Sequence, residues 1–147
     1  MTNTKFAHAS ADDLERLVEL RLIAMRPSLE AIGRFNPDRA RQRFVNEFEP
    51  EHTRLIFEND KLVGCFALLP RKDHLYLGHF YLHPDVQGKG IGKQVMKDIL
   101  GAATALKRPI KLITLNESPA ISFYEALGFA VTASDDVETT MEWSPNH

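Results

Sequence analysis

The sequence predicts one α/β (α+β) domain, a mixed sheet of about seven strands flanked by about four helices. Three observations support this. Helical and strand periods are interleaved along the chain as β-α-α-β-β-β-α-β-α-β-β. Three consecutive strands in the middle are joined by short turns, which is the pattern of an antiparallel meander. With 147 residues and no repeat, low-complexity tract or linker, residues 1–147 fit a single domain.

The elements run in order. A strand at Lys5–Ala9 precedes Ser10-Ala11-Asp12-Asp13, which reads as a helix start with a Ser N-cap and acids in the first turn. Leu14, Leu17, Val18, Arg21 and Met25 continue at helical spacing, and Pro27 is expected to end the run. Asn36-Pro37-Asp38 is a second cap with Pro at the first helical position, and Phe44, Val45 and Phe48 form that helix's apolar side. The middle changes period. Arg54–Glu58 and Leu62–Leu69 are strands joined at the tight-turn pair Asn59-Asp60, and His74–Leu82 is a third after Pro70–Asp73. Beyond the loop His83–Gly92, residues Ile91, Val95, Ile99, Ala102 or Ala103 and Leu106 mark a helix of about four turns. Ile110–Leu115 is a strand. Ser118-Pro119 opens a helix that Gly128 closes, and Phe129–Ser134 and Val137–Trp143 form a hairpin around Asp135-Asp136.

Composition narrows the function classes. Apolar residues at 44% and charged residues at 26% are the proportions of an ordinary globular protein. A formal charge of −2 supplies no broad basic field, so no nucleic-acid partner is expected. No apolar run approaches the ~20 residues that span a bilayer, so no membrane partner is expected. The start Met1–Phe6 lacks the apolar stretch of a signal peptide, which makes a cytoplasmic location the expectation. Cys65 is the single cysteine, and its apolar setting Val63–Leu69 makes it a small core side chain.

The loop carries the chemistry. A strand, a glycine-rich turn and a helix in that order make an anion site, because the first amides of a helix have no internal partner and its dipole favours negative charge. Gly88, Gly90 and Gly92 leave the backbone open to close approach, and Lys89 and Lys93 add positive charge. The nucleotide P-loop is excluded, because Gly88-Lys89-Gly90 lacks its spacing and no Ser or Thr follows. The dinucleotide fingerprint is excluded too: counting from Gly88, position 93 is Lys rather than Gly, and too few strands remain for a doubly wound sheet.

Gln87-Gly88-Lys89-Gly90-Ile91-Gly92 resembles the Gln/Arg-x-x-Gly-x-Gly/Ala signature of the GNAT N-acetyltransferase superfamily. Tyr81-Leu82-His83-Pro84 precedes it, and the run from Asn116 through Phe129 resembles the family's second hallmark, about two dozen residues beyond the loop. The order of elements fits the family across nearly the whole chain. The resemblance implies a mostly antiparallel sheet in which the strand ending at Leu82 splays from Ile110–Leu115. The V-shaped gap between them would hold acetyl-CoA as acetyl donor, with no metal. By the same resemblance the amides of Gln87, Gly88, Lys89, Gly90, Ile91, Gly92 and Lys93 cradle the pyrophosphate. The backbone of Phe80, Tyr81 and Leu82 bonds the pantetheine arm, Asn116 contacts the pantetheine, and Tyr124 sits near the CoA sulfur.

The implied reaction is direct attack of a primary amine on the thioester. An alkylammonium with pKa near ~10.4 must first lose a proton. Many family members carry a Glu on the strand before the loop, whereas none lies between His74 and Leu82 here. The base is therefore His79, whose ordinary pKa of about 6.5 suits the task, or an ordered water. Alternation puts His79 and Tyr81 on one strand face and Tyr76, Gly78 and Phe80 on the other, unless a bulge switches them. Tyr124 is the expected acid, helping a departing thiolate of pKa near ~8.5.

The family builds its acceptor wall from the first two helices, which places Arg21, Met25 and Phe35 there. Arginines suit a carboxylate and hence an amino-acid-like or peptide acceptor. Glu47, Glu49 and Glu51 suit a polyamine equally well, so the small-molecule or peptide amine stays unassigned by sequence. A non-catalytic acyl-CoA sensor on the same fold is the alternative. Exposed strand edges leave monomer and homodimer both open.

Overall fold

The computed structural model describes residues 4–116 and 118–145. Its strands are β1 (Thr4–His8), β2 (Thr53–Glu58), β3 (Lys61–Pro70), β4 (Leu75–Leu82), β5 (Ile110–Leu115), β6 (Ala130–Ser134) and β7 (Glu138–Trp143). Its helices are α1 (Leu14–Ala31), α2 (Pro37–Glu47), α3 (Ile91–Leu106) and α4 (Pro119–Ala126). The strands form one open sheet in the order β1-β2-β3-β4-β5-β7-β6. Every pair is antiparallel except β4–β5, so the expected mixed, mostly antiparallel sheet is observed.

Local chemistry explains most boundaries. Asn59 and Asp60 both take positive φ (51° and 68°), as the primed turn of a two-residue hairpin requires. Asn36 caps α2 by accepting from the Arg39 amide at 3.1 Å, with Pro37 in the first turn. Ser118 does the same for Ala120 of α4 at 3.1 Å. Gly128, at φ 101°, takes the chain out of that helix.

Two expectations are corrected. Pro27 does not end α1, which runs on to Ala31. Proline costs a helix the hydrogen bond to the carbonyl four residues back, here Ile23. Ile23 and Pro27 are both exposed, so that carbonyl lies on the solvent side. The buried residues Leu17, Val18, Leu20 and Arg21 anchor the helix before Pro27, and in the extra turn Leu29 is the half-buried residue. At the end of α3, Ala103 is the buried alanine while Leu106 is 60% exposed.

Each face of the sheet has its own core. Helices α3 and α4 cover one, through Val95, Met96, Ile99 and Tyr124 against Leu77, Ile110, Met141 and Trp143. Helices α1 and α2 cover the other, where Leu17 and Phe44 bury completely beside Leu55, Cys65 and Tyr81. Cys65 is the small core side chain expected, and burial pushes its thiol up to about 12.

Two irregularities in β4 shape the ground between these cores. Pairing with β5 covers only Leu75–Leu77 against Ile110–Leu112, after which the strands part and leave the V-shaped cleft. On its other edge β4 bulges against β3: Cys65 faces Tyr81 and Ala67 faces Gly78, so two residues oppose Phe66. His79 sits in this bulge at φ 49°. The bulge switches faces. Leu75, Leu77, Phe80 and Leu82 pack toward α3 and α4, whereas Tyr76, His79 and Tyr81 turn toward α1 and α2.

Candidate functional site

The parted strands open onto a cavity of about 610 Å³. Leu77–Tyr81 of β4 and Leu112–Leu115 of β5 form its sides, and Tyr124 of α4 closes one wall. Arg21 and Met25 of α1 and Arg43 and Glu47 of α2 close the opposite one. Of the residues expected in the catalytic and acceptor roles, Tyr124, His79, Arg21 and Met25 therefore meet in one cavity. Phe35 does not line it; the Arg26 guanidinium stacks on its ring at 5.1 Å. A second cavity, of about 670 Å³, adjoins the first and shares Arg21 and Arg43 with it. Arg34, Asn36 and Arg39 border it on the helix side, and Asp135–Glu138 on the hairpin side.

His79 anchors a polar cluster that is buried at Arg21 and Tyr81 and open to solvent at Glu47. Its Nε2 lies 3.0 Å from a Glu47 carboxylate oxygen, which only accepts, so this nitrogen carries the proton. Its Nδ1 is then an acceptor, 2.9 Å from the Tyr81 hydroxyl and 3.3 Å from the Arg21 guanidinium. Arg21 also donates to the Tyr81 oxygen and lies over that ring at 5.5 Å. Burial, and then the charge of Arg21, lower the His79 pKa to about 4, with Glu47 opposing them. The imidazole is thus neutral near pH 7 with both nitrogens occupied. Cys65 donates to the His79 carbonyl at 3.2 Å and pins the bulge. The contact of Glu47 with His79 is not visible in the sequence. Gly78 was the available signal, since a glycine inside a strand often marks a bulge.

Tyr124 differs from Tyr81. Burial raises the pKa of both, yet the Tyr124 hydroxyl has no hydrogen-bond partner among the described residues. It remains a proton-bearing donor at the cavity wall.

At the far end of β4, Gln87 ties the loop to the strand by donating to the Leu82 carbonyl at 3.0 Å, and its own amide bonds Pro84 at 3.3 Å. The amides of Ile91, Gly92 and Lys93 begin α3 and have no intrahelical acceptor. Gly88 and Gly90 take φ of 81° and 84°, and a Cβ on either would meet nothing within 4 Å, so the loop is open for close approach. Lys89 and Lys93 are exposed and pair with no carboxylate among the described residues. The Asn116 side chain is committed to the β6–β7 turn, donating to the Asp135 carbonyl at 2.8 Å and accepting from Thr139 at 2.6 Å. Among the described residues no helix is long and apolar enough to cross a membrane.

Residues 49–131 match the family model described as the acetyltransferase (GNAT) domain. A curated relative, the peptidyl-lysine N-acetyltransferase YjaB of Salmonella typhimurium, is 32% identical over 99 residues, 66% of this chain and 63% of that one. The UPF0157 protein YqkA of Bacillus subtilis is 26% identical over 125 residues, 83% of this chain and 36% of that one. The chain thus spans less than two thirds of the length of either relative. Among solved structures, the PaiA N-acetyltransferase of Thermoplasma acidophilum in complex with coenzyme A superposes with a TM-score of 0.80 at 19% identity, covering 97% of this chain and 99% of that one. At that identity the likeness is one of fold.

Proposed function

The chain belongs to the GNAT acetyltransferase family, and on that premise we propose that it binds acetyl-CoA in the β4–β5 cleft and transfers the acetyl group to a primary amine. The observation that carries this reading is the parting of β4 from β5 after Leu77, with an open glycine loop at one end of β4 and the cavity beside it. Beyond Leu77 the β5-facing backbone groups of β4 lack ladder partners and suit a pantetheine arm, which offers amides of its own. The amides of Ile91, Gly92 and Lys93, the open backbone at Gly88 and Gly90, and the charges of Lys89 and Lys93 suit its pyrophosphate. Asn116 would face the arm only through its backbone unless the β6–β7 turn released its amide.

The thioester supplies an activated carbonyl with a thiolate leaving group. The chain's own residues do the rest. Tyr124 donates a hydrogen bond to the departing sulfur from its unpartnered hydroxyl. An ammonium with pKa near ~10.4 must be deprotonated, and Glu47 is the carboxylate held at the cavity by His79. With its Nε2 proton pointed at Glu47, His79 positions that carboxylate.

The test is calorimetric titration with acetyl-CoA, followed by thiol release with a panel of amines. Micromolar binding and saturable, amine-dependent release are expected. Absence of binding would overturn the proposal, and binding without release for any amine would leave only an acyl-CoA sensor.

A further inference from the structure

Arg21 is 6% exposed, yet it pairs with no carboxylate among the described residues. Its hydrogen-bond partners, Tyr81 and His79, are both neutral, and its Nε is buried without a hydrogen-bond partner. A buried guanidinium without a counter-charge is costly, and such groups are found paired or holding a ligand. Three candidate anions can be weighed. Glu47 makes no ion pair with Arg21, because it meets the opposite nitrogen of the His79 ring at 3.0 Å and lies toward Arg43 at 3.6 Å. The phosphates of an acetyl donor belong at the glycine loop, past Leu82, and its thioester end is neutral. That leaves the acceptor.

Resting on the acetyl-transfer reading, we propose that the acceptor is a small aminocarboxylate, an amine with a carboxylate a few bonds away, as in a free amino acid. The two charges it needs to meet are already spaced for it. Arg21 touches one nitrogen of the His79 ring and Glu47 the other, so cation and anion stand one imidazole apart. An α-amino acid bridges that gap through its short ammonium–carboxylate separation plus a hydrogen bond at each end. The ammonium sets against Glu47, the carboxylate against Arg21, and the rest of the molecule extends into the second cavity, which Arg21 also lines. On the helix side of that cavity Arg34 and Arg39 have no carboxylate partner among the described residues. The opposite wall carries Asp136 and Glu138, and Glu138 lines the first cavity as well. A polyamine would bring only positive charge to Arg21. A lysine side chain within a peptide carries no carboxylate near its amine.

The experiment compares acceptors by thiol release with the full chain. The twenty amino acids are assayed, then the best of them beside its carboxamide, its decarboxylated amine, a dipeptide starting with the same residue, spermidine and a lysine peptide. The acid is expected to exceed its carboxamide on the order of 100-fold in kcat/KM, mostly through KM, because a site that bonds a group rejects analogues lacking it. Arg21→Gln should shrink that ratio below about 10-fold. The wild-type ratio stands as a test should that variant fail to fold. Equal rates for acid and carboxamide overturn the proposal, and so does preference for spermidine, the dipeptide or the lysine peptide. Acetyl-CoA binding measured by calorimetry separates the two failures. Binding with none of the amino acids acetylated sinks the aminocarboxylate alone, whereas no binding sinks the transferase reading beneath it.

Discussion

The two ends of the cleft handle charge by opposite means. At the glycine loop the positive potential comes from main-chain amides at the start of α3 and from exposed lysines. At the helix α1–α2 end it comes from a buried guanidinium, held by Tyr81 and His79. The loop is a local device. Its shape follows from three glycines within five residues, and nothing distant has to arrive for it to form. The polar cluster is a tertiary device. Arg21, Glu47, His79 and Tyr81 come from α1, α2 and a bulged strand, and it exists only once those elements pack. Main-chain sites tolerate exchange of exposed side chains but not of backbone conformation, whereas buried side-chain sites respond to pH and to single-atom changes.

The comparison breaks most sharply at Gly90. Gly90→Asp places a carboxylate beside the free amides and adds strain at φ 84°, so acetyl-CoA affinity should fall by more than about 100-fold. The fold should survive with a loss of about 1–2 kcal/mol in denaturant titration, since a Cβ there meets nothing. Unchanged affinity would mean that the loop does not hold the donor.

At the other end the sharper probe is pH. The folded His79 has its pKa lowered to about 4 from an unfolded value of 6.5, so the unfolded chain binds more protons between these values. Its contribution is therefore fully present above pH 6.5 and is lost as pH falls toward 4. Between pH 7 and pH 5 the loss from this group is about 2 kcal/mol. His79→Gln should flatten that part of the curve, read as the shift of the urea midpoint in each protein. An identical slope in both would show that the ring is not the group refusing the proton.

The same division explains what could be read in the sequence. Asn59-Asp60, Asn36-Pro37, Ser118-Pro119 and the glycine loop announce themselves because each works through its own backbone and the next few residues. The helical stripe of α3 was legible as far as Ala103, the last residue the helix buries. Pro27 misled because the hydrogen bond it removes belongs to the carbonyl of Ile23 on the solvent side of α1, a placement that depends on how the helix sits on the sheet. The facing of Glu47 to His79 was invisible for a related reason. It depends on where α2 ends over the sheet and on a bulge that turns His79 to that side.

Tyr124 and Tyr81 sharpen the contrast within one residue type. Removing the Tyr124 hydroxyl should lower kcat several-fold while leaving acetyl-CoA affinity and stability close to wild type, because that oxygen bonds nothing among the described residues. Tyr81→Phe should instead lower stability by about 1–3 kcal/mol, because Arg21 and His79 Nδ1 each lose a buried partner. Denaturant midpoints and single-turnover rates on both variants separate the roles. An unchanged kcat in Tyr124→Phe would return Tyr124 to packing.

The smallest effect is expected at Phe35. Sequence placed it on the acceptor wall with Arg21 and Met25, and only those two line the cavity beside His79. Phe35 lies under Arg26, whose other partner is Glu30, so its ring helps fix the surface of the α1–α2 connection. An exposed cation–π contact of this kind contributes about 0.5–1 kcal/mol. Phe35→Ala should accordingly cost no more than that in stability and change acceptor KM by less than about 2-fold. Arg21→Gln, measured on the same acceptor, should move KM far more. Were Phe35→Ala to raise KM as strongly, the acceptor would extend over the connecting loop, and the second cavity would not be where its side chain goes.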